Sequence, residues 1–290
     1  MKLIWKFNLV LTTMFVAGFV IAGWVSHNML QANAREEVLE HARLMMEAAL
    51  AARTYTNLQV KPLLEPQLNT TFLPQSIPSY AANEQFNEMR KTHKGFAYKE
   101  ATLNPTNPSD RASDWEADLV QTFRQAPESR ELIGERDTPM GRSMYLARPI
   151  QVKSGACLAC HSTPDVAPKS MIALYGTANG FGWKMNEVVG AQVVSIPLPI
   201  PIARADATFR TFMLALAGIF AATMVMLNLM LHTIVIRRVT DLAAIADQMS
   251  LGNLDAGDFR STSKDEIGTL TEALGRMKTS MVQALKMLEE

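Results

Sequence analysis

The sequence predicts an α+β domain held between two membrane-spanning helices and followed by a helical coiled coil. Two uncharged apolar runs, residues 7–25 and 212–236, are each long enough to cross a ~30 Å hydrocarbon layer as a helix. The segment between them mixes helical and strand-like patterns, and the segment after the second run repeats apolar residues at steps of three and four. We therefore divide the chain into residues 1–6, 7–26, 27–210, 211–236 and 237–290.

The composition excludes several classes of protein. The chain has 28 basic and 28 acidic residues, so no excess of charge favours a nucleic-acid partner. Forty-eight per cent of the residues are hydrophobic, which is enough for a folded core. The two cysteines lie three residues apart and cannot build a disulfide scaffold.

The first apolar run follows Lys2 and Lys6. A cleaved secretory signal begins in the same way, but this run is longer than a usual signal core and lacks a convincing small-x-small cleavage site. We interpret it as a retained anchor, with the cleaved signal as the alternative.

The second apolar run is followed by Arg237 and Arg238. Because positive residues stay on the cytoplasmic side, both termini are predicted to be cytoplasmic and residues 27–210 to lie outside. Arg204 and Arg210 precede the second run and count against this orientation without reversing it.

Inside the outer segment, several local patterns predict individual elements. Arg35 to Tyr55 is rich in Ala, Leu, Met and Glu and lacks Gly and Pro, which predicts a long helix. Asp114 is the predicted N-cap of a second helix that ends near Gln125. Pro, Asn and Ser predict loops, and alternating β-branched residues predict strands. The predicted loops are 61–79 and 104–110, and the predicted strands are 144–152 and 188–200.

Both cysteines stand in front of a histidine, in the order Cys157, Leu158, Ala159, Cys160, His161. A zinc site needs about four ligands, and a second pair of cysteines is missing. A thioredoxin-type pair needs a strand-to-helix context and no particular histidine. Both of these alternatives stay open, as does an unmodified pair of cysteines.

Covalent attachment of haem c uses all three residues. Two thiols separated by two residues reach the two vinyl groups of one porphyrin, and the adjacent histidine gives the iron an imidazole nitrogen. The sequence thus predicts one covalent haem c, with Cys157 and Cys160 as thioethers and His161 as axial ligand. This haem is attached outside the bacterial cytoplasm, where the topology already places the motif.

The tail after the second span has two heptad helices joined by a Gly-containing connector. With "GNLDA" in the connector and Asp265, Glu266 and Gly268 opening the second helix, residues 237–290 resemble a HAMP signalling domain. The resemblance implies a parallel four-helix bundle made by two subunits, hence a homodimer. An intermolecular coiled coil that only oligomerises the chain is the alternative.

Three stretches of the outer segment, 51–64, 95–123 and 144–197, are similar to the periplasmic single-haem, PAS-like sensor domains found ahead of HAMP modules in bacterial receptors. The resemblance implies an α+β, PAS-like domain with a long N-terminal helix, a small antiparallel sheet and the haem attached in a loop between strands. It also places the chain in the bacterial inner membrane as a two-pass protein with a periplasmic sensor domain.

The second axial position of the iron is left open by the sequence. Met45, Met46 and His41 on the long helix are candidates, although each also fits a core or surface role. Tyr55, Tyr145, Arg148 and Trp183 are candidates for the haem pocket because they lie in or beside the three stretches.

These features favour a membrane-bound signal transducer that senses redox state or a small ligand, such as a gas, through its haem. Because the tail shows no kinase, cyclase or methylation-helix pattern, we expect the signal to pass through HAMP to a separate cytoplasmic kinase, cyclase or chemotaxis-type protein. A truncated receptor is the alternative explanation of this tail. The alternative is a membrane-anchored monohaem cytochrome that passes electrons to a periplasmic redox partner. An enzyme has little support, since no nucleophile and base pair or phosphate loop is present.

Overall fold

The computed structural model describes residues 3–68, 70–139, 141–253, 257–259 and 264–289. The chain is α+β, with a long N-terminal helix, a small antiparallel sheet and two apolar helices, as the sequence predicts. It divides into two compact units. One is His27–Thr208, and the other combines Met1–Ser26 with Phe209–Glu290.

The unit His27–Thr208 is built on a four-stranded antiparallel sheet with strand order β1-β4-β3-β2. The strands are β1 (Ala97–Thr102), β2 (Leu132–Thr138), β3 (Gly141–Gln151) and β4 (Val188–Pro197). The two strands predicted individually correspond to β3 and β4. The last strand ends before residue 200 because Pro199 begins the next helix, where its fixed φ is favourable.

Side chains alternate between the two faces of this sheet. The face that we name the α1 face packs on helix α1 (Leu3–Tyr55) and helix α3 (Pro78–Thr92). The opposite face, named the α4 face, packs on helix α4 (Asp114–Gln125). The α1 face presents the strand residues Tyr98, Met144, Leu146, Val194 and Ile196. The α4 face presents the strand residues Ala101, Tyr145, Ala147, Ala191 and Val193.

Helix α1 contributes a stripe of buried residues to the first core. Val38, Ala42, Met46 and Ala49 recur at steps of three and four, so they share one helix face, and all are at most 1% exposed. The predicted helix Arg35–Tyr55 therefore lies within a longer helix that begins at Leu3.

The prediction of a loop over 61–79 was wrong in part. A π-helical turn (Thr56–Val60) leads into helix α2 (Lys61–Leu64), and two 3₁₀ turns follow at Glu65–Gln67 and Pro74–Ser76. Each of these later elements, like α3, carries a proline in its first two positions, where no backbone donor is needed. The prolines that predicted a loop begin short helices instead.

Helix α4 was predicted with Asp114 as its N-cap, and this prediction was wrong by one residue. Asp114 is the first helical residue, while Ser113 has the extended backbone of a cap. The Ser113 N–H donates to the Glu116 carboxylate at 2.8 Å. This is the spacing of a capping box, in which serine is followed three residues later by glutamate.

Two short helices lie between β3 and β4. Helix α5 (Gly155–His161) carries both cysteines and the histidine, and helix α6 (Lys169–Tyr175) follows it. The resemblance placed this motif in a loop between strands, and the connection does join adjacent strands.

Helix α7 (Pro199–Met230) begins in the unit His27–Thr208 and continues into the second unit. The second unit also contains a π-helical turn (Leu231–Ile236), helix α8 (Arg237–Ser250) and helix α9 (Glu266–Glu289). Two continuous helical stretches, Ile4–Gln67 and Pro199–Ser250, are long and apolar enough to cross a membrane.

The two apolar stretches touch at several levels within this unit. Asn8 donates to the Asn228 side chain at 2.8 Å, and the Phe15 and Phe220 rings stack with centroids 4.7 Å apart. A Cβ on Gly23 would lie 3.2 Å from the Met213 methyl group. The three contacts follow one antiparallel register.

The tail shows a capped second helix. The Gly268 N–H donates to the Asp265 carboxylate at 2.9 Å, Glu266 is the first helical residue, and Gly268 is buried. In the predicted "GNLDA" connector, residues 254–256 lie outside the described part of the chain. Along α8, Leu242 and Met249 are buried.

Candidate functional site

Helix α5 places both thiols on one side of a short helix. Ser154 is the N-cap of this helix, and its hydroxyl accepts from the Ala156 N–H at 3.2 Å. Residues three apart share a helix face, so Cys157 and Cys160 are neighbours. Both thiols are free and half-buried. Burial raises the pKa of Cys160, which keeps its thiol protonated.

A cavity of about 1320 Å³ opens beside these thiols. Its lining residues fall into two sets, because they come from both faces of the sheet. The first set, which we name the thiol compartment, lies on the α1 side and includes Arg53, Glu100, Asp110, Cys157, Cys160 and His161. The second set, which we name the α4-side compartment, includes Lys99, Trp115, Arg136, Ser143, Val193 and Ser195.

The His161 ring is held by a backbone carbonyl. Its Nδ1 lies 2.8 Å from the Gly180 oxygen, which can only accept, so Nδ1 carries the proton and donates. Burial lowers the pKa of His161, although the bond to Gly180 opposes this shift. The ring is therefore neutral at pH 7, and Nε2 keeps a free lone pair.

Residues 180–183, which follow α6, pack against the C-terminal end of α5. The Gly182 N–H donates to Ser162 at 2.9 Å, and the Trp183 N–H donates to the His161 carbonyl at 3.2 Å. The Trp183 indole lies against the His161 ring, so both the backbone and the side chain hold the imidazole.

Asn104 fixes this segment from the opposite side. Its Oδ1 accepts from the Gly180 N–H at 3.1 Å, and its Nδ2 donates to the Phe181 carbonyl at 3.2 Å. Gly180 has φ +87, and a Cβ there would lie 2.1 Å from the Thr106 hydroxyl. Sequence reasoning did not single out Asn104, and the only available signal was its place in the loop 104–110.

A buried polar network forms the α1 wall of the thiol compartment. The Arg53 guanidinium pairs with the Glu100 carboxylate. The Tyr98 hydroxyl donates to Glu100 at 2.8 Å and accepts from the Gln192 amide at 2.8 Å. Burial, reinforced by the Glu100 charge, raises the pKa of Tyr98, so the phenol stays protonated. Sequence reasoning missed this network because its members come from three separate elements.

Asp110 brings a second carboxylate to the thiol compartment. It accepts from the Asn83 side chain at 3.2 Å. Burial, together with the Glu100 charge, raises its pKa to about 6, and Lys99 acts in the opposite direction.

The candidates for the second axial position lie away from the thiols. Met46 is fully buried in the core between α1 and the sheet, and Met45 packs against that core. His41 is exposed. Among the described residues that line the cavity, none of these three side chains occurs.

Of the four candidates for the haem pocket, one lines the cavity and three do not. Trp183 lines the cavity and contacts His161. Tyr55 is 57% exposed, and Tyr145 packs against Trp115 with ring centroids 5.7 Å apart. Arg148 pairs with Glu47 at 2.6 Å. Tyr55, Tyr145 and Arg148 are not among the described cavity-lining residues.

The thiols and imidazole do not form a chelating cluster in the described residues, where no three His, Cys, Asp or Glu side chains gather around one point. The positions of the two thiols and the imidazole suit a bound group that each of the three side chains contacts at a different atom. The zinc interpretation gains no support from this geometry.

Comparison with known proteins gives two matches. The model of the family Tll0287-like: Tll0287 matches residues 31–197, which is more than half of the chain. A similar solved structure is that of the cyanobacterial heme-protein Tll0287, with 18% identity and a TM-score of 0.44 over 56% of this chain and 95% of that chain. The comparison with curated proteins gives no significant match. The chain belongs to the Tll0287-like family.

Proposed function

We propose that the domain binds one covalent haem c, attached through Cys157 and Cys160, with His161 as an axial ligand. The observation that carries this proposal is the bond from His161 Nδ1 to the Gly180 carbonyl. Ligating histidines nearly always donate their other ring nitrogen in this way, which fixes the ring and raises its basicity. The family shares its name with a cyanobacterial heme-protein, which supports the proposal.

The residues present fit such a group. The two thiols share one helix face, the histidine follows at the end of the same helix, and all three line one cavity. A bound haem supplies an iron that changes oxidation state and takes a small ligand where a coordination position is open. His161 holds a lone pair in a fixed direction, Trp183 keeps the ring from rotating, and Arg53 places a positive charge in the cavity wall.

The proposed role is signal transduction. Leu50, Arg53 and Asn57 line the cavity, and helix α1, which carries the first two, continues without a break to Leu3. Strand β4 is followed within two residues by helix α7. A change at the cavity would therefore reach both membrane helices along the chain, and the tail would act as the two-state HAMP element.

The topology that we propose has both termini in the cytoplasm of a bacterium, two spans in the inner membrane and the haem domain in the periplasm. The basic residues Lys6, Arg237 and Arg238 at the predicted inner ends of the spans support it. Haem c is attached on the periplasmic side, which agrees with this orientation.

A second copy of the chain is the proposed partner of the tail. Heptad residues of α8 and α9 remain exposed in the single chain, at 38% for Val239, 44% for Leu270 and 52% for Met277. Exposed apolar residues at heptad spacing are typical of helices that pack against other helices. The output protein is proposed to be a separate cytoplasmic chain, and the role to be non-enzymatic.

Expression of the full chain in cells that mature c-type haem tests the haem proposal. We expect haem to stay with the denatured chain, with a mass increase of one haem. Cys157→Ala/Cys160→Ala should remove it, whereas Cys157→Ser alone should leave a single thioether. A chain that carries no covalent haem would overturn the proposal.

The signalling role is tested on the haem-loaded chain in vesicles. Single cysteines introduced along Val239 to Met249 should crosslink in patterns that differ between oxidised and reduced haem. Identical patterns in both states and with carbon monoxide would contradict signalling and leave electron transfer as the role.

A further inference from the structure

The α4-side compartment lies on the part of the α4 face that helix α4 leaves uncovered. Leu119, Val120 and Phe123 of the helix pack over Ala101 and Ala147. Beyond that core, the same face presents small and hydroxyl side chains, which line the cavity instead of packing against the helix. These residues are Thr138, Ser143 and Ser195.

A preoriented cation stands at the edge of this compartment. The Arg136 guanidinium carbon lies 3.8 Å from the centre of the Trp115 ring, so the cation is held over the face of the indole. In the described part of the chain, no carboxylate forms an ion pair with Arg136. The neighbouring cation, Lys99, is already neutralised by Glu116 at 2.7 Å. The N–H edges of Arg136 are therefore available to an anion.

A buried hydroxyl beside this cation lacks a partner at normal distance. Ser143 is the cross-strand neighbour of Arg136 and is only 3% exposed. Its Oγ lies 3.4 Å from both the Gly141 carbonyl and the Thr138 hydroxyl. Bonds between hydroxyl and oxygen are about 2.5–3.0 Å long, so these contacts leave the donor poorly satisfied. A buried donor of this kind is costly unless a further group completes it.

An apolar end adjoins these polar groups. Val193 and the Trp115 indole line the same compartment. One free guanidinium and one hydroxyl match a single negative charge better than a phosphate dianion, which would need a further unpaired cation. The pattern of a polar end and an apolar end is that of a small organic acid.

We propose that the α4-side compartment binds a small monocarboxylate with an apolar tail. Arg136 and Ser143 bind the carboxylate, while Trp115 and Val193 contact the tail. The site lies on the opposite sheet face from the thiol compartment and gives the domain a second input that does not depend on haem.

Calorimetric titration of the full chain in detergent tests this site. The probes are butyrate and benzoate, with butyramide and benzamide as uncharged analogues of the same shape. We expect at least one acid to saturate the site at millimolar concentration or below, and its amide to bind at least about tenfold more weakly. Arg136→Gln should weaken acid binding at least about tenfold, and Ser143→Ala should weaken it several-fold.

Arg124→Gln is the matched control, because it removes the same charge from the far end of α4, where Arg124 pairs with Glu187. It should leave acid binding unchanged. Failure of both acids to bind, equal binding of acid and amide, or unchanged binding in both Arg136→Gln and Ser143→Ala would overturn the proposal. The heat of binding is measured without reference to haem, so its failure is distinguishable from failure of the haem proposal.

Discussion

The His161 and Trp183 rings are stacked, with centroids 3.9 Å apart and planes inclined by 13°. The two residues come from different ends of the β3 to β4 connection, and a backbone bond from Trp183 to the His161 carbonyl joins them a second time. The stack and the Gly180 carbonyl together fix the imidazole in one orientation.

Trp183→Ala should therefore loosen the imidazole. An aromatic pair of this kind contributes about 0.5–1.5 kcal/mol beyond its buried area, so the unfolding free energy should fall by at least that amount. In the haem-loaded chain, the electron paramagnetic resonance signal of the oxidised haem should broaden, because the imidazole would take up several orientations. Trp183→Phe keeps a stacking partner and serves as the control. Identical signals in the Ala and Phe variants would contradict the positioning role.

Gly180 and Gly182 provide a matched pair of substitutions. Both have positive φ, at +87 and +81, but a Cβ at residue 182 meets nothing within 4 Å, whereas one at residue 180 lies 2.9 Å from the Thr106 Cα. Gly182→Ala should cost about 1–2 kcal/mol for its backbone conformation alone. Gly180→Ala should cost about 1–3 kcal/mol more because the loop 104–110 must shift. Thermal unfolding compares them, and equal costs would mean that the contact is relaxed in solution.

Asp110 should make stability depend on pH. Its pKa rises from 3.8 to about 6 on folding, so the native state binds the proton more tightly than the unfolded chain. This contribution is fully present below 3.8 and is lost as pH rises through about 6. Asp110→Asn should abolish this part of the pH profile and raise stability above pH 6. Asp118→Asn, an exposed carboxylate on α4, controls for the loss of one charge. Parallel profiles for wild type and Asp110→Asn would contradict the prediction.

Met46 distinguishes a core role from iron ligation. Its side chain is fully buried, so Met46→Ala should lower the unfolding free energy by about 2–5 kcal/mol. Because Met46 does not line the cavity, the visible spectrum of the haem-loaded variant should match wild type. Met46→Leu should restore most of the stability. A changed spectrum in both variants would instead support the sixth-ligand prediction for this residue.

Periodicity predicted the elements with long and regular patterns. The apolar runs and the heptads of the tail lie in helices, and β3 and β4 overlap the strands predicted at 144–152 and 188–200, although β4 ends at Pro197. The prolines in 61–79 predicted a loop, but proline is also favoured in the first turn of a helix, which is where these prolines lie. Strand β1 and strand β2 carry charged residues on both faces, such as Glu100 and Arg136, and gave too weak an alternation to be identified.

The sequence predicted the site residues that are neighbours along the chain. It did not predict the residues that only folding brings to the site. Cys157, Cys160 and His161 form one motif, so sequence alone brought them together. Asn104 reaches the Gly180 segment from a distant loop, and Arg53 reaches the cavity from helix α1, so both contacts exist only in the folded domain. Tyr55 belongs to the same helix as Arg53, yet it is exposed, because residues two positions apart on a helix point in directions about 200° apart.

The antiparallel contacts between the two apolar stretches have a consequence for building hybrid proteins. Asn8 bonds to Asn228, the Phe15 ring stacks on the Phe220 ring, and Gly23 lies against the Met213 side chain, so the two stretches match at three levels. A foreign first span would leave the Asn228 side-chain oxygen without its Asn8 donor in hydrocarbon, where polar groups need partners. Hybrid proteins made from this chain must therefore transplant both spans together.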